Sequence, residues 1–432
     1  MTLRRTAAGL ASVVLLVSCS AATDTPAAEP PETALSEGPS MPPSDETSAS
    51  GQPPKQARAP RSASQPRPAR ERLRRQVAAM SVRELANQLQ VVTVAGTAPN
   101  RVSGDELAAN TRRFGVRTPA AVARTFQPGG IVYFDRNVST PQQVRTLSRG
   151  LHQASRRGGS PTLLFTDQEG GLVSRLPGPV ATGQPAARDL GGDPSSGRGS
   201  ARRVGAAMAA MGLDADFAPV ADVDTVGGGG VIGSRAFGTG PAVVTRMVRQ
   251  QICGYHRGGV AVSLKHWPGH GSTSVDSHQA LPRLSLPLAA WRSQHLRPFV
   301  AGARSGAEMV MTGHLAYDRL DPSGRPASLS PTMTRGWLRK RLGFTGVIVT
   351  DSLSMSAVAS PGTAGRVAVQ ALRAGADLLL MSPSPGAATA GIRAAVAAGR
   401  LTRERLERSA LRVLRLKDAT GLVDGPRRLA GC

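Results

Sequence analysis

Eight short apolar runs, separated by helical stretches, constrain this chain more than any other feature. They are Leu89 to Val94, Gly130 to Phe134, Thr162 to Asp167, Ala215 to Val220, Val260 to His266, Glu308 to His314, Gly346 to Asp351 and Ala376 to Met381. Each is mostly Val, Ile, Leu or Ala, as in strands buried on both faces of a parallel sheet. Eight such strands alternating with helices predict a (β/α)8 barrel. The helices show in Ser81 to Gln88, Thr363 to Ala374 and Thr402 to Lys417. The last places Leu406, Ala410, Val413, Leu414 and Lys417 on one face behind a Thr cap. No internal repeat is visible.

Polar residues gather where these runs stop: Asp167-Gln168-Glu169, Asp222 and Asp224, Lys265-His266, His314, and Asp351. In a parallel barrel the carboxyl ends of the strands converge on one rim, where this architecture builds catalysis. A single Asp there could instead cap the following helix. A Lys-His pair cannot, because caps need acceptors.

The stretch KHWPGHGSTSVDSH, residues 265 to 278, holds three of the chain's seven histidines. His266 and His270 are four apart, but Pro268 and Gly269 break the helix that would pair them as metal ligands, and the spacing fits no standard zinc pattern. No metal is expected. The segment reads as a Gly-rich loop over the rim, and Gly269 and Gly271 predict that it moves and closes over bound ligand. Asp276 and His278 are two apart and point the same way in an extended chain. A carboxylate beside an imidazole fixes its tautomer and raises its basicity, so the two form a candidate proton-transfer dyad. The plainer alternative is a loop histidine satisfied by Asp276 or Ser277.

GVIVTDSLSM delivers Asp351 to the rim, where a carboxylate suits nucleophilic attack on a sugar carbon. DQEGGLVSR, carrying Asp167 and Arg175, and VIGSRAFG, carrying Arg235, set charged groups beside glycines that admit close approach of a ligand. Such groups orient sugar hydroxyls through charge-assisted hydrogen bonds; taken singly, each also fits a surface salt bridge.

The ends and the charge bound the rest. At 432 residues, 40% hydrophobic and 19% charged, the chain supports one large domain or two ordinary ones. Arg4-Arg5 precede an apolar run from Ala7 to Val17, too short to span a bilayer and typical of a signal peptide. Leu16-Val17-Ser18-Cys19 resembles a bacterial lipobox, which makes Cys19 a lipidation site and the mature protein membrane-anchored on the extracellular face; the alternative is ordinary cleavage near Ala22. We therefore expect a signal peptide at 1–18, a disordered Pro/Ala/Ser-rich tether at 19–75 and a catalytic domain at 76–425. Besides Cys19, only Cys253 and Cys432 occur, so there is no disulfide framework, and a single bridge between them stays open. The net charge of +24 does not make this a nucleic-acid binder, since aromatics are 3% and the arginines spread over the whole chain. A basic surface does suit anionic lipids and wall polymers. Lys occurs only at 55, 265, 340 and 417, so its use at 265 stands out.

Taken together, DQEGGLVSRL, FAPVADVD, VIGSRAFG, KHWPGHGSTSVDSHQALP, PASLSP and GFTGVIVTDSLSM resemble the glycoside hydrolase family 3 β-N-acetylhexosaminidases. The likeness runs from about Val82 to Asp418 and is to the single-domain branch that removes N-acetylglucosamine from peptidoglycan fragments. It implies a retaining β-N-acetylglucosaminidase without cofactor or metal, with Asp351 as nucleophile, His278 as acid/base and Asp276 as its dyad partner. Asp167, Arg175, Arg235, Lys265 and His266 fall on positions that bind the sugar ring. A compact Lys265 ammonium at such a site is not replaceable by a guanidinium fork. Two-domain glucosidases of the family take their acid/base Glu from a second domain; here a barrel loop must supply it. Trp267 stands where Phe is commoner and Ser272 where Asp is frequent. The rivals are a phosphorylase on the same fold, because a neutral His does not repel phosphate, and a catalytically silent wall-binding lipoprotein.

Overall fold

Every one of the eight apolar runs contains a strand. The barrel strands are β1 (Gln90–Val92), β2 (Gly130–Val132), β3 (Leu163–Thr166), β4 (Ala215–Asp216), β5 (Ala261–Trp267), β7 (Met309–Thr312), β9 (Val347–Thr350) and β10 (Leu379–Leu380); β6 (Arg283–Leu284) and β8 (Ala316–Tyr317) pair separately as a small ribbon. The structure, a computed structural model, describes residues 67–178, 183–227, 229–359, 362–423 and 425–430. Cys19, the signal peptide and most of the expected tether lie outside these residues.

The sheet order is β10-β1-β2-β3-β4-β5-β7-β9, with neighbours parallel. A parallel bridge between Val349 and Leu378 joins β9 to the start of β10, bringing the two ends of the sheet together. Helices between successive strands cover the outside, as parallel strands buried on both faces require. The barrel is the expected (β/α)8 architecture. Ladders are shorter than the apolar runs because the polar ends leave the sheet: β4 keeps only Ala215 and Asp216, paired to Phe165 and Thr166 on one side and to Ala261 and Val262 on the other.

Aromatic rings fill part of the interior. Phe165 and Phe217 stack with centroids 4.8 Å apart and planes 2° from parallel. They fit because β2 begins with Gly130, where a Cβ would lie 2.3 Å from the Phe165 ring. At the amino end of the strands sits Lys417, fully buried, its Nζ donating to Gln88 Oε1 at 2.6 Å. Among the helices, Val82–Gln88 starts from a Ser81/Glu84 capping box and Arg403–Ala419 from a Thr402 cap, and the face from Leu406 to Lys417 is buried as expected.

One boundary differs. Helix Arg67–Ala79 begins inside the stretch assigned to the tether, with Leu73 fully buried and Val77 3% exposed. The Arg-rich sequence masked it: two apolar residues four apart are enough to dock a helix, but too few to stand out among the charges. Cys253 is disulfide-bonded, and the chain's other cysteines lie outside the described residues. No helix among the described residues is long and apolar enough to cross a membrane.

Two outcomes follow from this packing. Phe165→Ala should cost about 3–5 kcal/mol of stability in urea unfolding, through lost burial and the cavity it leaves. Burial pushes the Lys417 ammonium down to about 7 from its ordinary 10.5. Between those values the unfolded chain binds more protons than the folded one, so wild-type stability should rise as pH increases through this window. Lys417→Met should flatten that rise and be the more stable form at pH near 6; a pH series of melting curves checks it.

Candidate active site

The centre of the rim is a buried charge cluster spanning three strands. Glu169 leaves β3 two residues after Asp167, at the start of a loop held tight by Gly170 and Gly171, both at positive φ. Its side chain is 4% exposed. Lys265 on β5 sits between the two acids, with Nζ 2.6 Å from Glu169 Oε1 and 2.7 Å from Asp167 Oδ1. Arg235, from the loop after β4, forks onto Glu169 at 2.8 Å through Nε and 2.8 Å through Nη2. Burial pushes the Glu169 carboxyl up, but Lys265 and Arg235 outweigh it and hold the group far below the ordinary range. Burial likewise works against the Lys265 ammonium, and Asp167 with Glu169 reverse it, raising its pKa. The cluster stays ionised because each charge is paired.

His266 extends this cluster sideways. Its Nδ1 donates to Asp222 Oδ2 at 2.7 Å, because a carboxylate only accepts, and Arg235 Nη2 points at its Nε2 from 3.4 Å. That fixes the ring's orientation, with Nδ1 on Asp222 and Nε2 toward the cluster. Asp222 is fully buried and also accepts from the backbone amides of His266 and His270, at 3.2 and 2.7 Å. One carboxylate thereby fixes the last turn of β5 and the root of the loop beyond it.

Asp351 closes the rim at the end of β9. Its amide donates to Thr312 O on β7, and its Oδ1 accepts from the Ser352 amide at 2.7 Å. Burial raises the Asp351 pKa, but His266, His314, the Ser352 amide and Lys265 together bring it below the ordinary aspartate value. His314 beside it is buried and wired at both nitrogens, Nδ1 2.7 Å from Ser328 Oγ and Nε2 donating to Ser352 O at 2.8 Å. An anionic carboxylate at this position is what a nucleophile needs at neutral pH.

The Asp276–His278 contact forms, but in a turn closed on Asp276 O rather than in the extended chain expected. Asp276 Oδ1 accepts from His278 Nδ1 at 2.8 Å and from its amide at 2.9 Å. Burial nudges the Asp276 carboxyl up, and the His278 hydrogen bonds bring it below its ordinary value. The dyad is joined to the rim through Ser277, whose hydroxyl lies 3.0 Å from Nε2 of buried His270. Charges on Asp351 and His278 both act on His314, after burial the strongest influences being Asp351 and the Ser352 carbonyl. His278 itself is 70% exposed, so water reaches its outer nitrogen.

The glycines of this loop serve its packing. At Gly271 a Cβ would sit 1.9 Å from Val223 O, and at Gly269, where φ is +122°, 2.8 Å from His295 Cβ. They admit tight packing at the loop root, where Tyr317 and Trp291 also donate to Gly269 O and Pro268 O. The departures at 267 and 272 are also accommodated. Trp267 Nε1 donates to Met333 O at 3.1 Å, and Ser272 Oγ meets His295 Nε2 at 2.8 Å. Burial lowers His295 to about 4, so a hydroxyl partners this neutral imidazole without an unpaired charge.

Arg175 is the one expected sugar ligand that lies apart from the cluster. It pairs with exposed Asp135 at 3.3 Å and lies over Phe134. The hub residues Glu169 and Asp222 were missed as site residues, although both were visible as polar groups at strand ends. Charge matching would have found Glu169, since Lys265 and Arg235 need a second acid beside Asp167. Among the described residues no three His, Cys, Asp or Glu side chains gather as metal ligands.

The glycosyl hydrolase family 3 N terminal domain matches residues 81–416. The chain belongs to glycosyl hydrolase family 3. It is therefore a glycoside hydrolase, and it groups with that family's β-hexosaminidases. A β-hexosaminidase from Methylococcus capsulatus is 37% identical over 289 residues, covering 66% of this chain and 82% of that protein. Another from Alkalilimnicola ehrlichii is 36% identical over 276 residues, covering 61% and 76%. The solved structure of a family 3 β-N-acetylglucosaminidase from Paenibacillus sp. FPU-7 matches with a TM-score of 0.73 at 34% identity, over 80% of this chain but 64% of that longer one.

Removing the carboxylate at the hub of this family 3 site tests its pairing. Glu169→Ala should cost about 3–5 kcal/mol in urea unfolding, because Lys265 and Arg235 would be left buried with one acid between them.

Proposed function

We propose that this glycoside hydrolase is a retaining β-N-acetylglucosaminidase. It removes terminal, non-reducing N-acetylglucosamine from peptidoglycan-type glycans, and it is held at the outer face of the membrane through a lipid on Cys19. The observation that carries the reading is the pairing on one rim of an anionic Asp351 with a loop dyad, Asp276–His278, beside a buried cluster of charges.

In this reading Asp351 attacks the anomeric carbon and forms a glycosyl-enzyme as the aglycone leaves. His278 gives the leaving oxygen a proton from Nε2, while Asp276 holds Nδ1 and stabilises the imidazolium. The same nitrogen then takes a proton from the water that attacks the intermediate, returning Asp351 to its free state. Exposure of His278 suits both steps, since leaving group and water come from the solvent side. Asp167, Lys265, Arg235 and His266 orient the ring through charge-assisted hydrogen bonds. The preference for wall glycans rests on the export signal with its lipobox and on the family resemblance.

The test is hydrolysis of aryl β-N-acetylglucosaminides by the full chain. Asp351→Ala should abolish release. His278→Ala should lose about 10²–10⁴-fold on poor leaving groups and much less on good ones. Free sugar as the product in phosphate buffer supports hydrolysis, whereas a sugar 1-phosphate would replace it with phosphorolysis. No turnover by a folded chain would overturn the reading in favour of a silent binding protein. Release from muropeptides faster than from chitobiose would support the wall substrate, and Cys19→Ala should move the protein from the membrane to the soluble fraction.

A further inference from the structure

Outside the barrel, a cavity of about 630 Å³ opens between helix Ala364–Ala374, helix Arg403–Ala419 and the segment 325–341, and it shares no residue with the site on the rim. Its charge is almost entirely of one sign: arginines line it, and no Asp or Glu does. The one acid beneath it is Asp377, fully buried just before β10, at the end of the barrel opposite the rim.

Three arginines share that carboxylate. Arg339 Nη2 lies 2.5 Å from Asp377 Oδ2, while Arg412 and Arg405 approach Oδ1 at 3.1 and 3.8 Å. Arg339 and Arg405 are also locked by backbone carbonyls: Phe344 O and Gly346 O for the first, Leu372 O and Ala376 O for the second. They form a rigid floor. Above it stand Arg325, Arg335, Arg373, Arg400 and Arg408, all exposed; Arg408 is drawn to Glu404, four residues back on its helix, which does not line the cavity.

A fold gains nothing by gathering so many like charges over one carboxylate. Burial is the main reason that Arg339 falls to about 10, but repulsion from Arg412 and Arg405 adds to it against the pull of Asp377. Arg405 is lowered in the same way, with Arg412, Arg408 and Arg335 opposing its charge. A bound anion would relieve this repulsion.

We propose that the cavity binds a ligand carrying two or more successive phosphate groups. Guanidinium forks match phosphate oxygens two at a time, which favours phosphate over a single carboxylate. The cavity is larger than one tetrahedral anion needs, and its arginines come from three segments, so several phosphates are engaged together. Its concavity favours a free oligophosphate or a phosphodiester chain over the flat headgroup layer of a membrane.

Calorimetry on the full chain at about 150 mM salt, where exposed charges are largely screened, tests this with tripolyphosphate, orthophosphate, a short glycerol-phosphate oligomer and phosphatidylglycerol vesicles as probes. Tripolyphosphate should saturate one site per chain and bind far more tightly than orthophosphate. The triple variant Arg335→Gln, Arg373→Gln, Arg400→Gln should weaken it roughly tenfold or more. A control with three other exposed arginines, Arg112→Gln, Arg149→Gln and Arg202→Gln, should stay near wild type. Tighter binding of the oligomer than of tripolyphosphate would identify a phosphodiester chain as the source, and the reverse a free oligophosphate. Without ligand the cavity variant should melt at or above the wild-type temperature, since repulsion has been removed. Equal weakening in both triples, absence of saturable binding, or binding of the vesicles alone would overturn the proposal.

Discussion

The buried carboxylate of Glu169 is the interaction on which the site depends. Two cations, Lys265 and Arg235, are brought out of water by strands and loops that the barrel sets in place, and leaving either there unpaired would be strongly destabilising. Glu169 meets both, Asp167 takes a second side of Lys265, and Arg235 then faces His266. A chain of contacts thus crosses β3, the loop after β4 and β5. Its members fix each other's positions more firmly than any one loop could.

Asp222 has the same function one step further out. By accepting from the His266 ring and from the amides of His266 and His270, it ties the imidazole at the rim to the backbone that starts the dyad loop. The loop root is then packed too tightly for a Cβ at Gly271. Beyond it, Ser277 hangs from His270, with Asp276 and His278 on either side. The acid/base candidate is therefore solvent-exposed at its tip yet anchored through two buried side chains.

The same physical rule divides the molecule's two arginine-rich regions. In the rim cluster, Lys265 and Arg235 each have a carboxylate partner in Glu169, and Lys265 a second in Asp167. On the outer helix layer, Asp377 faces a crowd of guanidinium groups. An arginine-writing chain would place many on its surface, but it need not aim them into one hollow.

Local patterning alone determined the eight barrel strands and the rim positions of Asp351, Lys265 and His266, because runs buried on both faces and the polar residues that end them are local signals; the β6–β8 ribbon carried no such signal. The Asp276–His278 contact was legible as a pairing, but it is made in a turn closed on Asp276 rather than along an extended chain. The tertiary structure alone decided what each charge meets. Glu169 and Arg235 are 66 residues apart, His266 and Asp222 are 44 apart, and Arg405 reaches Asp377 from the helix Arg403–Ala419. Arg175, which its motif placed with the sugar ligands, meets Asp135, 40 residues back in the chain. The start of helix Arg67–Ala79 was hidden for a similar reason, since burial of Leu73 depends on a surface the rest of the chain provides. Pairing and burial arise from closure of the barrel, and no window of neighbouring residues contains that information.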